Sequence, residues 1–183
     1  MPGRLSTGFC GYPATQLLAD YWLWEHILNE TSGLTAIVEL GTAYGGFSLF
    51  LATQAHYRGL GFGTFDSIDH ATAPLEQLFG RPAQRPPVAP LGEAFRRVEL
   101  VKDDAATEVL AMLGGGPVAL FCDNGHKAQE VAIYSPHLAT GSLCVVHDWG
   151  EEIGPVDVPL HLQERYGALC DEIGSMSRVF ERV

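Results

Sequence analysis

Apolar residues return along the chain with two different spacings, and each spacing predicts a different kind of element. In residues 14–30 they recur every three or four positions, which predicts an amphipathic helix. Elsewhere they form short continuous runs, which predict buried strands. These runs occupy residues 35–40, 98–101, 118–122 and 142–146, and two further strands are predicted at 61–66, which ends on an acid, and at 177–182.

The segments between the runs predict helices and one long loop. Helices are expected in four places: at 47–57, from Asp103 or Asp104 to Leu113, after Asp123 as far as Tyr134, and in a turn that begins at Pro159. Residues 80–92 predict a loop, because their prolines remove backbone donors. Strands that alternate with helices and are continuously apolar are typical of a mostly parallel sheet covered on both faces. We therefore predict a doubly wound α/β fold with six to seven strands.

Composition and charge narrow the class of protein. A chain of 183 residues, 46% apolar and 18% charged, is expected to form a single domain over residues 1–183. We divide it into an N-terminal helical cap, 1–33, and an α/β core, 34–183. The net charge of −11 disfavours a nucleic-acid partner, because phosphates attract clustered lysine and arginine. Without a membrane-length apolar run or an apolar signal segment at the start, a cytoplasmic location without membrane contact is expected, and a homodimer is compatible.

Acidic residues stand at the carboxyl ends of four of the first five predicted strands: Glu39, Asp66, Asp123 and Asp148. The remaining strand is followed closely by Asp103 and Asp104. In parallel sheets of this kind the ligand lies beyond the carboxyl ends of the strands. A row of acids suits hydroxyls, amines, a sulfonium cation or a metal better than it suits phosphates.

A glycine-rich segment, Glu39-x-Gly41-x-x-x-Gly45-Gly46, joins the first predicted strand of the core to a helix. Dinucleotide sites favour Gly-x-Gly-x-x-Gly, but Ala43 occupies the position of the middle glycine. S-adenosylmethionine is the competing ligand: its carboxylate can use backbone N–H groups at the helix start, and its amine can use Glu39. A tight turn without a ligand is the third interpretation.

Asp66 favours the cofactor over the plain turn. It follows Gly41 by 25 residues at the end of a strand, where a carboxylate accepts hydrogen bonds from ribose hydroxyls. Asp104 is placed either to accept from an adenine amino group or to cap a helix. The candidate cofactor-binding residues are Glu39, Gly41, Thr42, Gly45, Gly46, Asp66, Ser67, Asp104, Ala105 and Asp123.

Two sets of motifs resemble a known superfamily. The run Ile37-Val38-Glu39-Leu40-Gly41-Thr42-Ala43-Tyr44-Gly45-Gly46, with Phe65-Asp66-Ser67, resembles class I S-adenosylmethionine-dependent methyltransferases. Three further runs resemble the branch of cephalosporin-hydroxylase-like proteins and macrocin-type O-methyltransferases: Phe121-Cys122-Asp123-Asn124-Gly125-His126-Lys127, Tyr134-Ser135-Pro136-His137-Leu138 and Val145-Val146-His147-Asp148. The similarity covers roughly residues 35–150.

This resemblance implies a Rossmann-like fold with an antiparallel last strand. It also implies methyl transfer from S-adenosylmethionine to a hydroxyl of a small molecule, such as a sugar or a polyketide-type acceptor. Two alternatives stay open. One is an accessory S-adenosylmethionine-binding domain without catalysis, and the less favoured one is an NAD-dependent oxidoreductase.

The strand order of that superfamily would place Asp123 and Asp148 side by side, where they are candidates to hold a divalent metal such as Mg or Mn with His147. Alternatively, His147 is a buried core histidine and no metal is bound. Asp123 and His126 are the candidate catalytic residues, with His126 as the base for the acceptor hydroxyl. Lys127 is a weaker candidate base, because an ordinary amine is protonated at neutral pH. Trp22 and Trp24 line either an acceptor pocket or the core.

Overall fold

A seven-stranded sheet organises the chain in a computed structural model that describes residues 7–67, 91–101 and 105–183. Its strands are β3 (Ala36–Leu40), β4 (Gly61–Asp66), β5 (Phe95–Arg97), β6 (Val118–Cys122), β7 (Leu143–Val146), β8 (Leu162–Arg165) and β9 (Arg178–Arg182). Before them, β1 (Thr7–Phe9) and β2 (Tyr12–Ala14) pair as a separate hairpin. The described helices are α1 (Leu18–Glu30), α2 (Gly46–Arg58), α3 (Thr107–Leu113), α4 (Lys127–Tyr134) and α5 (Gly167–Ile173).

The strands lie in the order β5-β4-β3-β6-β7-β9-β8. The pairs from β5 to β7 are parallel, whereas β9 runs antiparallel to both of its neighbours. This arrangement confirms the predicted doubly wound α/β fold and the antiparallel last strand. The strand order reverses between β3 and β6, so the ligand crevice of such a sheet is expected beside the ends of these two strands.

Alternate strand residues enter two hydrophobic cores, one on each face of the sheet. Val38 and Leu120 pack on one face with residues of α3 and α4, including Val109 and Val131. On the other face lie residues from α1, α2 and α5: Leu23, Trp24, Ile27, Phe47, Phe50, Leu51 and Cys170. Because both faces are covered, the central strands β6 and β7 are apolar throughout, as their continuous apolar runs predicted.

The prediction of a strand at residues 98–101 is wrong. The edge strand is β5, which begins three residues before the predicted strand and pairs with β4. Since β4 ends at Asp66, the backbone N–H of Val98 donates the last bond of this ladder to the Asp66 carbonyl at 3.0 Å. Leu100 is nonetheless fully buried, so this apolar run fills the core without belonging to the sheet.

The prediction of a helix turn at Pro159 is also wrong, because Pro159 precedes strand β8, which the pattern missed. Only Leu162 of β8 is buried, so this strand at the sheet edge lacks the apolar run by which the others were found. The helix of this region is α5, from Gly167. The first helix begins at Leu18 rather than residue 14, since the residues of β2 pair in the hairpin.

Asp103, Asp104 and most of the predicted loop at residues 80–92 lie outside the described residues. Among the helices of the described part, none has the length and apolar character required to cross a bilayer.

Candidate active site

The glycine-rich segment forms a tight turn between β3 and α2. Gly41 has φ +110°, and a Cβ atom there would lie 2.4 Å from the Asp123 carbonyl oxygen. The N–H of Gly41 donates to the Phe65 carbonyl, and the N–H of Asp123 donates to the Leu40 carbonyl. These backbone bonds join the carboxyl ends of β3, β4 and β6, and only glycine fits at position 41.

The turn lines a small cavity with the segment that precedes α1. Residues 14–16 form one side of it and residues 41–47 the other. Gly45 is left-handed at φ +78° and caps α2, while Ala43 is left-handed at φ +43°. The side chain of Thr42 is buried, and its Oγ1 pairs with Thr64 Oγ1 at 2.6 Å.

Glu39 and Asp66 lie buried near the carboxyl ends of the neighbouring strands β3 and β4, and Glu39 stands two residues before Gly41. The exposed fraction is 1% for Glu39 and 3% for Asp66. Burial raises the pKa of Glu39 to about 8, although hydrogen bonds from Ser48 and Thr64 oppose the shift. Within the described part of the chain, Glu39 Oε2 has no hydrogen-bond partner. A buried, unpaired carboxyl oxygen is costly, so this atom is suited to a polar ligand.

A second group of charged residues lies where β6 and β7 end, and we call it the strand-end cluster: Asp20, Asp123, Lys127, His147, Asp148 and Glu152. Lys127 Nζ lies 3.4 Å from Asp123 Oδ1, 3.0 Å from Asp148 Oδ2 and 2.8 Å from Glu152 Oε2. His147 Nδ1 lies 3.3 Å from Asp123 Oδ1 and 3.2 Å from Asp148 Oδ1. Two cations therefore bridge the same pair of aspartates.

Charge pairing sets the protonation states in this cluster. Burial lowers the pKa of His147, but its contacts with Asp123, Asp148 and Asp20 outweigh burial and raise it to about 12. The His147 cation holds the pKa of Asp148 well below its usual range. For Lys127, the carboxylates likewise outweigh burial and raise the pKa. At neutral pH, both His147 and Lys127 carry a positive charge, and Lys127 is not available as a base.

The sequence analysis missed Asp20, which joins α1 to the cluster. Asp20 is fully buried, its Oδ1 accepts hydrogen bonds from Ser175 and Ser177, and its Oδ2 lies 3.6 Å from His147 Nε2. Burial raises the pKa of Asp20, but these partners outweigh burial and lower it. A signal was present, because Asp20 lies on the same helix face as the apolar residues Trp24 and Ile27.

Gln16 was also missed, and no pattern in the sequence indicates it. Its Nε2 donates to Asp123 Oδ2 at 2.6 Å, so the segment before α1 reaches the end of β6. Because Gln16 also lines the cavity of the glycine-rich turn, it connects that cavity to the strand-end cluster.

The family comparison agrees with this geometry. Residues 38–149, more than half of the chain, match the family described as a methyltransferase domain. The chain belongs to this methyltransferase family. The match begins in β3 and ends directly after the strand-end residues of β7, so it includes both the glycine-rich turn and most of the cluster.

A structural comparison finds a crystal structure of a SAM-dependent methyltransferase from Thiobacillus denitrificans in complex with S-adenosyl-L-homocysteine. The two share 15% sequence identity with a TM-score of 0.35, and the match covers 79% of this chain and 51% of that one. The matched part of this methyltransferase-family chain thus corresponds to about half of that protein. No curated protein matches the sequence.

The remaining candidate residues of this methyltransferase-family chain lie outside the strand-end cluster. His126 is exposed at the start of α4, and its backbone N–H donates to Glu130 Oε1 at 3.3 Å. The N–H of Ser67 donates to Asn124 Oδ1 at 3.4 Å, so the ends of β4 and β6 meet there. Ala105 is partly buried just before α3. Trp24 lies in the core and Trp22 is half-exposed, stacked on His26.

The predicted metal ligands Asp123, His147 and Asp148 do come together, with ligand atoms within 4.8 Å of one another. In this arrangement, the Lys127 ammonium already pairs with both aspartates and would compete with a divalent cation for their oxygens.

Proposed function

We propose that this chain transfers a methyl group from S-adenosylmethionine to a hydroxyl oxygen of a small molecule. The observation that carries the proposal is the buried pair Glu39 and Asp66, at the ends of adjacent strands beside a glycine-rich turn. Membership of a methyltransferase family supports the reaction type. When bound, the cofactor supplies an electrophilic methyl group on a sulfonium centre.

The residues around the cavity fit this cofactor. The unpaired Oε2 of Glu39 suits the ammonium of the methionine part, because an ion pair would offset the cost of burying the carboxylate. Asp66 suits the two ribose hydroxyls. The Gly41 backbone packs against Asp123 so closely that the turn is held rigidly near these acids.

In the proposed reaction, the acceptor oxygen forms a bond to the methyl carbon, the carbon–sulfur bond breaks, and the hydroxyl proton passes to His126 and then to solvent. His126 is the base in this proposal because Lys127 is held as a cation. Asp123 orients the site through its contacts with Gln16, Lys127 and His147. Most of the catalytic effect would come from positioning the acceptor oxygen.

Calorimetry with the purified chain tests the cofactor. We expect S-adenosylmethionine and its demethylated product to bind and NAD not to bind. The variant Asp66→Asn should bind the cofactor about 10- to 100-fold more weakly, since hydrogen bonds to a charged acceptor contribute about 1.5–3 kcal/mol.

The matched control is Glu181→Gln, which removes an acid from β9 at the opposite end of the sheet, where Glu181 pairs with Leu143 at the start of β7. It should leave cofactor binding unchanged. Binding of NAD in place of S-adenosylmethionine would favour the oxidoreductase alternative and contradict the proposal. Cofactor binding without methylation of any hydroxyl acceptor would favour the accessory domain.

A further inference from the structure

Lys127 is enclosed by carboxylates in a way that separates it from surface lysines. Its side chain is 3% exposed, and Nζ lies within 3.4 Å of oxygens from Asp123, Asp148 and Glu152. The ammonium group donates a hydrogen bond to Glu152 and forms ion pairs with Asp148 and Asp123. Lys127 is therefore built into the site as a fixed cation.

The placement of this cation follows from the fold. Asp123 comes directly after β6, Asp148 is the second residue after β7, and the two strands are parallel neighbours. Lys127 stands four residues after Asp123 in the first turn of α4 and bridges both strand ends. Asp148 is left-handed at φ +53°, a conformation that aspartate tolerates better than most residues.

The same two aspartates are the oxygen donors that a divalent metal would need. A metal ion binds carboxylate oxygens at roughly 2.0–2.6 Å, which would place it next to the Lys127 ammonium and the His147 ring. A divalent ion would add two positive charges beside the Lys127 ammonium, which would repel it strongly in a partly buried site. Lys127 and a divalent metal therefore exclude each other.

We propose that the ammonium group of Lys127 takes the place of a divalent metal at the ends of β6 and β7, so that methyl transfer by this chain requires no metal. The consequence for catalysis rests on the proposed function, whereas the exclusion of metal does not. Lys127 acts as a positioning residue, because its ammonium pairs with Asp123, Asp148 and Glu152 rather than with the acceptor.

The experiment is a Mn²⁺ titration of the EDTA-treated chain, followed by calorimetry or by the electron paramagnetic resonance of free Mn²⁺. We expect no saturable binding to the wild-type chain. Lys127→Met keeps the length of the side chain and removes its charge, and it should gain saturable Mn²⁺ binding, at least about tenfold tighter than the limit measured for the wild type. Lys127→Arg keeps a cation and should behave as the wild type does.

A matched control is Arg165→Ala, which removes a cation that pairs with Glu181 on the sheet edge and should not change Mn²⁺ binding. Methylation in EDTA should equal methylation with added Mn²⁺ for the wild type.

Stoichiometric Mn²⁺ binding by the wild-type chain overturns the proposal, and so does a folded Lys127→Met variant that gains no affinity. Circular dichroism establishes whether the variants are folded, and Lys127→Gln replaces Lys127→Met if the latter is not. If neither variant folds, the Mn²⁺ titration of the wild-type chain tests the proposal by itself. Because the titration uses no cofactor or acceptor, its outcome is independent of whether S-adenosylmethionine binds.

Discussion

His126 and Lys127 are neighbours in the sequence, but the first turn of α4 places their side chains in different environments. His126 is exposed, while Lys127 is buried among carboxylates that keep it protonated. The same carboxylates raise the pKa of His147 to about 12, so this histidine is also unsuited to take a proton at neutral pH. Among these three residues, His126 alone suits the role of a base.

His126→Ala should lower the rate of methyl transfer by on the order of 10²- to 10⁴-fold, the usual contribution of a positioned base. Cofactor binding should change little, because the proposed cofactor residues lie on β3 and β4. The measurement is the single-turnover rate as a function of pH, in which the ascending limb of the wild type should disappear.

His137→Ala is the matched control, since His137 is also exposed and lies at the far end of the same helical segment. It should keep the wild-type rate. A folded His126→Ala variant with an unchanged rate and pH profile would mean that the base is a different group.

At the scale of elements, the turn between β3 and α2 depends on close backbone packing. The backbone of Gly41 contacts the residues after β6, and this contact brings the proposed cofactor cavity and the strand-end cluster together. The sequence predicted the turn and its glycines. The requirement for glycine at position 41 comes from the backbone of Asp123, which follows β6 and lies more than 80 residues later in the sequence.

Gly41→Ala should therefore be strongly destabilising. A Cβ 2.4 Å from a backbone oxygen forces the turn or the end of β6 to move, and backbone atoms cannot rotate away as a side chain can. Gly33→Ala is the control, because Gly33 precedes β3, is also left-handed at φ +83°, and has no atom within 4 Å of its Cβ position.

Chemical denaturation measures both free energies of unfolding. We expect about 1–2 kcal/mol of loss for Gly33→Ala, from the left-handed backbone alone, and clearly more for Gly41→Ala. Equal losses would show that the contact with Asp123 does not constrain the turn.

At the scale of the whole molecule, the buried acids make stability depend on pH. The pKa of both Glu39 and Glu130 is raised to about 8, chiefly by burial. The folded chain therefore keeps protons that the unfolded chain releases near the ordinary value of 4.5. Because the folded state then binds more protons, the free energy of unfolding falls as pH rises from about 4.5 to about 8.

Glu39→Gln should reduce this pH dependence, since an amide neither ionises nor requires the cost of burying a charge. The wild type should lose on the order of a few kcal/mol more than the variant over that range. Urea denaturation at several pH values, without added cofactor, measures how the free energy of unfolding depends on pH. The exposed acid Glu30 supplies the control, and Glu30→Gln should keep the wild-type slope; an unchanged slope for Glu39→Gln would contradict the burial argument.

Much of the fold was predictable because its signals are local. The strands β3, β4, β6, β7 and β9 were found within one residue of their ends, and β6 and β7 in particular are runs of apolar residues. The signal failed at the sheet edges. There, β5 and β8 carry charged residues, and their positions are set by pairing with β4 and β9 rather than by their own composition.

By itself, the sequence determined the order of the elements, the glycine-rich turn and the acids at the ends of the strands, because these follow from the periodicity and chemistry of short segments. Only the tertiary structure decided which of those side chains meet. Gln16 reaches Asp123 across 107 residues, and Asp20 reaches Ser177 across 157. It also decided that Lys127 pairs with both Asp123 and Asp148. Such contacts depend on strand order and on how the helices pack against the sheet, which no single segment encodes.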